Sequence, residues 1–119
     1  MKYTVERSGI KLECESIKMG DDLQLCLYGG EKPHIGTVVM SEPRGSLTGK
    51  GYSATSSVIN RVSHKDEKIA RMMAEKIASE KNILVCCSAG VHIDNASADA
   101  LKLIVSMTEE LTCKIISDI

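Results

Sequence analysis

The sequence predicts an α+β domain in which one mixed sheet carries two helices on one face, in the order β-β-β-β-α-β-α. Apolar and polar residues alternate through the first third of the chain, which is typical of half-buried strands. Two later segments place apolar residues at helical spacing, and a continuous apolar run separates them. A chain of 119 residues is long enough to bury a core without staples. We therefore expect residues 1–119 to form a single domain.

The first three strands are predicted from their period of two. Alternation runs from Lys2 to Arg7, resumes at Ile10 after the Ser8-Gly9 turn, and resumes again at Leu23 after a turn at residues 19–22. Short turns of this kind join neighbouring antiparallel strands. The pattern therefore predicts an antiparallel meander.

A fourth strand and a long loop are predicted next. The β-branched residues of Thr37–Met40 favour a strand, which residues 42–45 end. Ser46–Asn60 is rich in small hydroxyl residues and glycine, and we interpret it either as a mobile surface loop or as a lid or ligand-binding segment. Its hydroxyl groups and Lys50 would suit a phosphate.

Two helices and a central strand complete the prediction. Ser63 is the expected N-cap of the first helix, whose buried stripe is Ile69, Met72, Met73 and Ile77. The apolar run Ile83–Cys87 lacks alternation and predicts a central strand covered on both faces. Asn95 or Ser97 caps the second helix, which extends almost to Ile119. The apolar residues on both sides of this last strand favour a homo-oligomer.

Composition excludes some function classes. The net charge of −1, with three tyrosines and neither Trp nor Phe, argues against a nucleic-acid binder. The five cysteines show no C-x-x-C spacing and fall mostly in apolar runs, which indicates a reducing compartment. No signal peptide and no apolar run of membrane-spanning length is apparent, so we expect no membrane association and a cytoplasmic location.

The segment Tyr28–Gly36 organises the predicted site. It holds three glycines, a proline and His34 in nine positions, which is more than a simple hairpin needs. His34, His64 and His92 each stand at the boundary of a predicted element, where scaffolds present functional groups. If they converge, the three would suit a divalent metal ion, but their spacing matches no local metal motif and fits scattered surface histidines equally.

Four segments resemble one small family. They are residues 29–36, residues 64–66 with 73–77, residues 89–93, and the tail from 107 to 116. From about Leu23 to its end, the chain resembles the prenylated-flavin chaperone-like proteins, a family that is also described as an accessory subunit of gallate decarboxylase. All three histidines fall within the matching segments.

The resemblance implies an accessory protein and not a catalyst. Family members look like proteins that bind prenylated FMN and assist its delivery to, or maturation in, a prenylated-FMN-dependent aromatic acid decarboxylase, with a flavin prenyltransferase as a further candidate partner. Carried over to this sequence, the resemblance implies a cofactor site formed by His34, His64 and His92 with the loop that contains Gly29, Gly30 and Gly36. No catalytic residue is assigned.

Prenylated FMN or FMN requires an anion site and an apolar slot. The helix start at Ser63-His64, with Lys50 or Arg44, or a metal ion held by the histidines, would suit the phosphate. The slot for the ring system would be lined by Tyr28, Tyr52 or Met40. Because His34 is predicted on a loop, His34→Ala is expected to lower cofactor retention with little effect on melting.

Two other functions stay open at this stage. One is a small metal-dependent enzyme that uses His34, His64 and His92 as ligands and a bound water as nucleophile. The other is a structural subunit that remains bound to a decarboxylase.

Overall fold

The structure is a computed structural model and describes residues 1–62 and 65–119. Within these residues the elements are β1 (Lys2–Arg7), β2 (Ile10–Met19), β3 (Asp22–Gly30), β4 (Thr37–Gly45), β5 (Tyr52–Asn60), α1 (Glu67–Lys81), β6 (Val85–His92) and α2 (Ala98–Asp118). The α+β class is confirmed, with β5 as one strand more than predicted.

The strands form one mixed sheet in the order β1-β2-β3-β6-β4-β5. β1, β2 and β3 make the predicted antiparallel meander. β6 enters between β3, to which it is parallel, and β4, to which it is antiparallel. Because β3 and β6 run in the same direction, their last residues Gly30 and His92 lie side by side at one edge of the sheet.

Both helices cover the same face of the sheet. α1 packs on β4, β5 and β6, α2 packs on β1 and β2, and the two helices contact each other. The predicted stripe on α1 is largely confirmed, because Ile69, Met73 and Ile77 are buried while Met72 is half-buried. The core thus lies between this face of the sheet and the helix pair.

The prediction of a loop over residues 52–60 is wrong. This segment is the edge strand β5, paired along its whole length with β4. Its exposed and half-buried side chains give it no apolar alternation, so serine and threonine content dominated its pattern. The strand is held by backbone hydrogen bonds to one neighbour.

The helix starts differ in how well they were predicted. α2 has Ser97 as N-cap, whose hydroxyl accepts a hydrogen bond from the Ala100 amide at 3.0 Å, as one of the two predicted alternatives. α1 begins at Glu67 with Asp66 as N-cap, so the predicted start at Ser63 is wrong. Ser63 itself lies outside the described residues.

The second face of the sheet is open in the single chain. β6 is central as predicted, but it starts at Val85 and ends at His92, and Cys86 and Ser88 on its second face are only half-buried. The predicted cover on both faces is therefore not present within one chain over the residues described. Neither helix of the described residues is both long and apolar enough to cross a membrane.

Candidate functional site

The connection between β3 and β4 crosses the end of β6 and is bonded to it. The Glu31 amide donates to the His92 carbonyl at 2.7 Å, and the Gly36 amide donates to the Ala89 carbonyl at 2.8 Å. These two bonds hold residues 31–36 at both ends. The loop is therefore fixed against the strand that ends in His92.

Two glycines allow this close approach. A Cβ on Gly90 would collide with the carbonyl oxygen of His34, and a Cβ on Gly36 would collide with the Asp66 carboxylate. The two glycines on β3 differ from each other: Gly30 lies against the His92 carbonyl, whereas Gly29 lies against the backbone of β2. Of the glycines predicted for the site, Gly30 and Gly36 are therefore at this loop, and Gly29 supports the sheet.

His34 is held by an acceptor at each ring nitrogen. Nδ1 lies 2.9 Å from the Lys32 carbonyl and Nε2 lies 3.1 Å from Asp66 Oδ2. The side chains of His34 and Asp66 are 19% and 8% exposed. With both contacts made, Nδ1 carries a hydrogen and one further proton is shared between Nε2 and the carboxyl group. The ring is thus fixed in position and in orientation.

Asp66 links three parts of the fold. Its second oxygen, Oδ1, accepts a hydrogen bond from the Val91 amide at 3.0 Å. Although Asp66 is the N-cap residue of α1, its side chain makes no capping hydrogen bond to that helix. The carboxylate instead joins the start of α1 to β6 and, through His34, to the loop.

His92 lies beside His34 at the end of β6. The ring centroids are 6.5 Å apart and the rings meet edge to face at 73°. His92 Nε2 lies 2.8 Å from Asp94 Oδ1, and Lys32 Nζ lies 3.7 Å from the same oxygen. The hydrogen bond from His92, together with the charge of Lys32, lowers the pKa of the Asp94 carboxyl. The sequence placed His92 and Asp94 on one side of an extended stretch, and the two do make contact.

The three-histidine metal site stays a prediction. In the part of the chain that the structure describes, no cluster of three or more His, Cys, Asp or Glu could hold a metal ion. His64, the third predicted ligand, lies outside the described residues. A metal bound at His34 would have to displace either the Lys32 carbonyl or Asp66 from the ring.

A cleft of about 720 Å³ opens next to the histidines, between the start of α1, the end of β6 and the start of α2. Its apolar wall is formed by Ile69, Val91, Ile93, Ala96, Leu101, Ile104 and Val105. Its polar lining is formed by His34, Lys65, Asp66, Lys68, His92 and Lys102.

The charge in the cleft is positive. Lys65, Lys68 and Lys102 are exposed and form no ion pair with the residues that the structure describes. Among the described lining residues Asp66 is the one carboxylate, and it is buried against His34. The cleft therefore offers uncompensated ammonium groups beside an apolar wall.

Several residues predicted for the site lie elsewhere. Tyr52 pairs with Gly45 at the end of β4 farthest from Gly36, about 27 Å away for a nine-residue strand, and Lys50 is in the turn beside it. Tyr28 is on the open face, where its hydroxyl donates to Glu15. The alternative candidates Arg44 and Met40 line a separate small pocket on β4.

The cleft residues that sequence reasoning missed are the lysines and Leu101. The sequence shows Lys65 and Lys68 around the start of a helix and Lys102 near the start of another. Lysines at such positions are usually solvated, and no local pattern shows that two helix starts face one cavity. Only the tertiary packing of α1 against α2 brings them together.

Comparisons with known proteins agree with this fold. The solved structure described as "Crystal Structure of a Novel Chaperone Complex for Yeast 20S Proteasome Assembly" is similar with a TM-score of 0.59, covering 98% of this chain and 95% of that chain at 15% identity. Such a low identity shows a shared fold alone.

Sequence comparison is more specific. Protein LpdD of Lactiplantibacillus plantarum is 27% identical over 117 residues, which cover 97% of this chain and 82% of that protein. The sequence profile of the prenylated flavin chaperone LpdD-like domain matches residues 6–119. The match therefore includes the loop, β6 and both helices of the cleft. The chain belongs to the prenylated flavin chaperone LpdD-like family.

Proposed function

We propose that this protein binds prenylated FMN in the cleft and acts as a non-catalytic accessory protein. It would deliver the cofactor to a prenylated-FMN-dependent aromatic acid decarboxylase or assist its maturation there. The observation that carries the proposal is the cleft itself, in a chain of the prenylated flavin chaperone family. Its apolar wall is edged by lysines that have no ion-pair partner among the described residues.

The cleft suits a flavin nucleotide in size and chemistry. Its volume of about 720 Å³ lies within the usual range for small-molecule sites, roughly 300–1,000 Å³. Ile69, Ile93 and Leu101 offer apolar contact to a planar ring system. Ammonium groups supply the attraction that a phosphate requires. FMN without the prenyl group would use the same contacts, and a divalent metal ion remains a second candidate ligand near the histidines.

A delivery role is supported by the rim of the cleft. Leu101 is 55% exposed, and Lys65 and Lys68 are also exposed. A cofactor held there would stay within reach of a partner enzyme. His34 and His92 both direct ring nitrogens to protein acceptors, which supports a positioning role for them.

The test is cofactor capture. The chain is co-expressed with a flavin prenyltransferase, purified without oxygen and examined by absorption spectroscopy. We expect the wild type to retain the prenylated flavin and Leu101→Ser to retain about tenfold less. The matched control is Leu47→Ser, because Leu47 is 95% exposed and lies in the turn that follows β4, away from the cleft. A colourless wild type with no affinity for added cofactor would reject the proposal.

Metal analysis of the same preparations addresses the alternative function. Stoichiometric metal, together with turnover of a small substrate in the absence of flavin, would favour a metal-dependent enzyme. Co-purification of a stable complex with a decarboxylase would favour a structural subunit.

We also infer that two copies of the chain associate through the open face of the sheet. One row of side chains crosses this face without a charge: Ile17, Gln24, Cys86, Met40 and Ser57. A two-fold interface places each patch against itself, so an uncharged row avoids like-charge contacts. Ile59, which is 74% exposed on the same face, extends the apolar surface.

Sedimentation of wild type and Ile59→Lys checks this association. We expect the wild type to sediment as a dimer and the variant as a monomer, because a buried lysine at the interface would be unpaired. A monomeric wild type would reject the inferred dimer and leave the cofactor site unaffected.

A further inference from the structure

We propose that the cleft has two chemically distinct parts, a phosphate subsite formed by Lys65, Lys68 and Lys102 and a ring subsite formed by the apolar wall. The protein would therefore select phosphorylated flavins over their dephosphorylated forms. This inference rests on the proposed function and deepens it by assigning the anion-binding residues.

The three lysines differ from most other lysines in their surroundings. Elsewhere on the surface, carboxylates lie close to the lysine ammonium groups, as in the pairs Lys11–Glu13 at 3.0 Å and Lys76–Glu80 at 2.7 Å. The cleft lysines have no such partner in the described part of the chain. Asp66 cannot serve as one without leaving His34 and the Val91 amide.

The lysines also converge from separate elements. Lys65 and Lys68 flank the start of α1, whereas Lys102 lies near the start of α2, and all three line one cavity. A run of charge along one solvated helix face would not enclose a ligand. Charges that face one cavity from two helices can contact an anion from two sides.

The apolar wall sets the ligand class. Leu101 remains 55% exposed although it lines the same cavity as buried Ile104. An exposed leucine at the mouth of a cleft gains by covering a planar apolar ligand. A ligand with an anionic end and a large planar body matches both parts, whereas an aromatic carboxylate would leave much of the volume unfilled.

The experiment compares two ligands that differ by one phosphate. Prenylated FMN, prepared with the prenyltransferase, and the same compound after phosphatase treatment are titrated anaerobically into wild type, Lys68→Gln/Lys102→Gln, and Lys50→Gln. Lys50 is the matched control, because it also lacks an ion pair in the described structure but stands in the β4–β5 turn.

We expect the wild type to bind the phosphorylated form at least tenfold more tightly. The double variant should lose about tenfold or more of that affinity and bind the dephosphorylated form unchanged, since charge-assisted contacts are the ones removed. Lys50→Gln should bind as the wild type does. Leu101→Ser should weaken both ligands by the same factor.

Two results would overturn the subsite assignment and leave the proposed function standing. One is equal wild-type affinity for the two ligands, and the other is loss of phosphate selectivity in Lys50→Gln but not in the double variant. Absence of binding by either ligand would reject the subsite and the proposed function together. Circular dichroism of each variant confirms that it is folded.

Discussion

The contact between His34 and Asp66 is the most constrained polar feature beside the cleft. Asp66 accepts one hydrogen bond from the Val91 amide and faces His34 Nε2 with its other oxygen. Because the carboxyl group is almost fully buried, loss of its partner leaves it poorly satisfied. The sequence-based expectation that His34→Ala would hardly affect melting is therefore revised.

His34→Ala should lower the stability of the cofactor-free protein by about 1.5–3 kcal/mol, since it removes a hydrogen bond to a buried carboxylate. His92→Ala is the matched comparison, because His92 is 44% exposed and its partner Asp94 is exposed as well. That change should cost less than about 0.5 kcal/mol. Urea unfolding followed by circular dichroism measures both, and equal losses for the two variants would contradict the assignment.

Lys65, Lys68 and Lys102 show the limit of residue-level reasoning from sequence. The histidines were recognisable because each ends or begins an element and each falls in a family-like segment. The lysines have ordinary helix-surface spacing, and their common cavity arises from contacts between α1 and α2. Long-range packing of this kind leaves no local pattern.

At the scale of elements, the site depends on a loop that rests directly on a strand. The carbonyl of His34 lies where a side chain on Gly90 would be, and the Gly36 amide bonds the Ala89 carbonyl. The glycine requirement on β6 thus belongs to the same contact as the glycine-rich loop. The sequence revealed the loop but offered no reason for Gly90.

Gly90→Ala should displace the loop and destabilise the protein by about 1–3 kcal/mol, because its Cβ would overlap backbone and cannot be accommodated by a rotamer change. Cofactor retention should fall with it. Gly45→Ala is the control, since a Cβ at Gly45 meets nothing within 4 Å. Thermal melts and anaerobic cofactor titrations test both, and an unchanged Gly90→Ala protein would show that the loop does not need this contact.

Elements with a buried face were predictable, and the edge strand was not. β1 to β3 each present a buried side to the helices, which imposes a period of two on the sequence. β5 lies at the sheet edge with largely exposed residues, so its sequence was free to be serine-rich. Its pairing with β4 comes from the hairpin and cannot be read from hydrophobicity.

At the scale of the whole molecule, the core contains titratable thiols. Burial raises the pKa of Cys14 to about 12, and burial also raises the pKa of Cys87. Both are free thiols and both face the core, where Cys14 Sγ lies 3.9 Å from Met73 Sδ. They pack as small apolar groups that must remain protonated.

Stability should therefore fall as the pH rises above about 9. The unfolded chain then releases thiol protons that the folded chain retains, so the loss begins at the unfolded pKa and continues toward the folded pKa of about 12 for Cys14. Between pH 8 and pH 10 each thiol should cost roughly 1–1.5 kcal/mol. Urea unfolding under reducing conditions at the two pH values measures this loss.

Variants identify the thiols responsible. Cys14→Ala should show a smaller decrease between pH 8 and pH 10 than the wild type. Cys113→Ala should keep the wild-type decrease, because Cys113 is exposed and loses little solvent contact on folding. A Cys14→Ala protein with the full wild-type decrease would assign the pH dependence to other groups.

The position of β6 also determines how the chain can be assembled during translation. β3 and β4 each pair with β6 along one edge, so those edges carry unbonded amides until the ribosome has released Val85–His92. Exposed strand edges of this kind are templates for aggregation. A nascent chain of this chaperone family would itself need shielding until its sixth strand emerges.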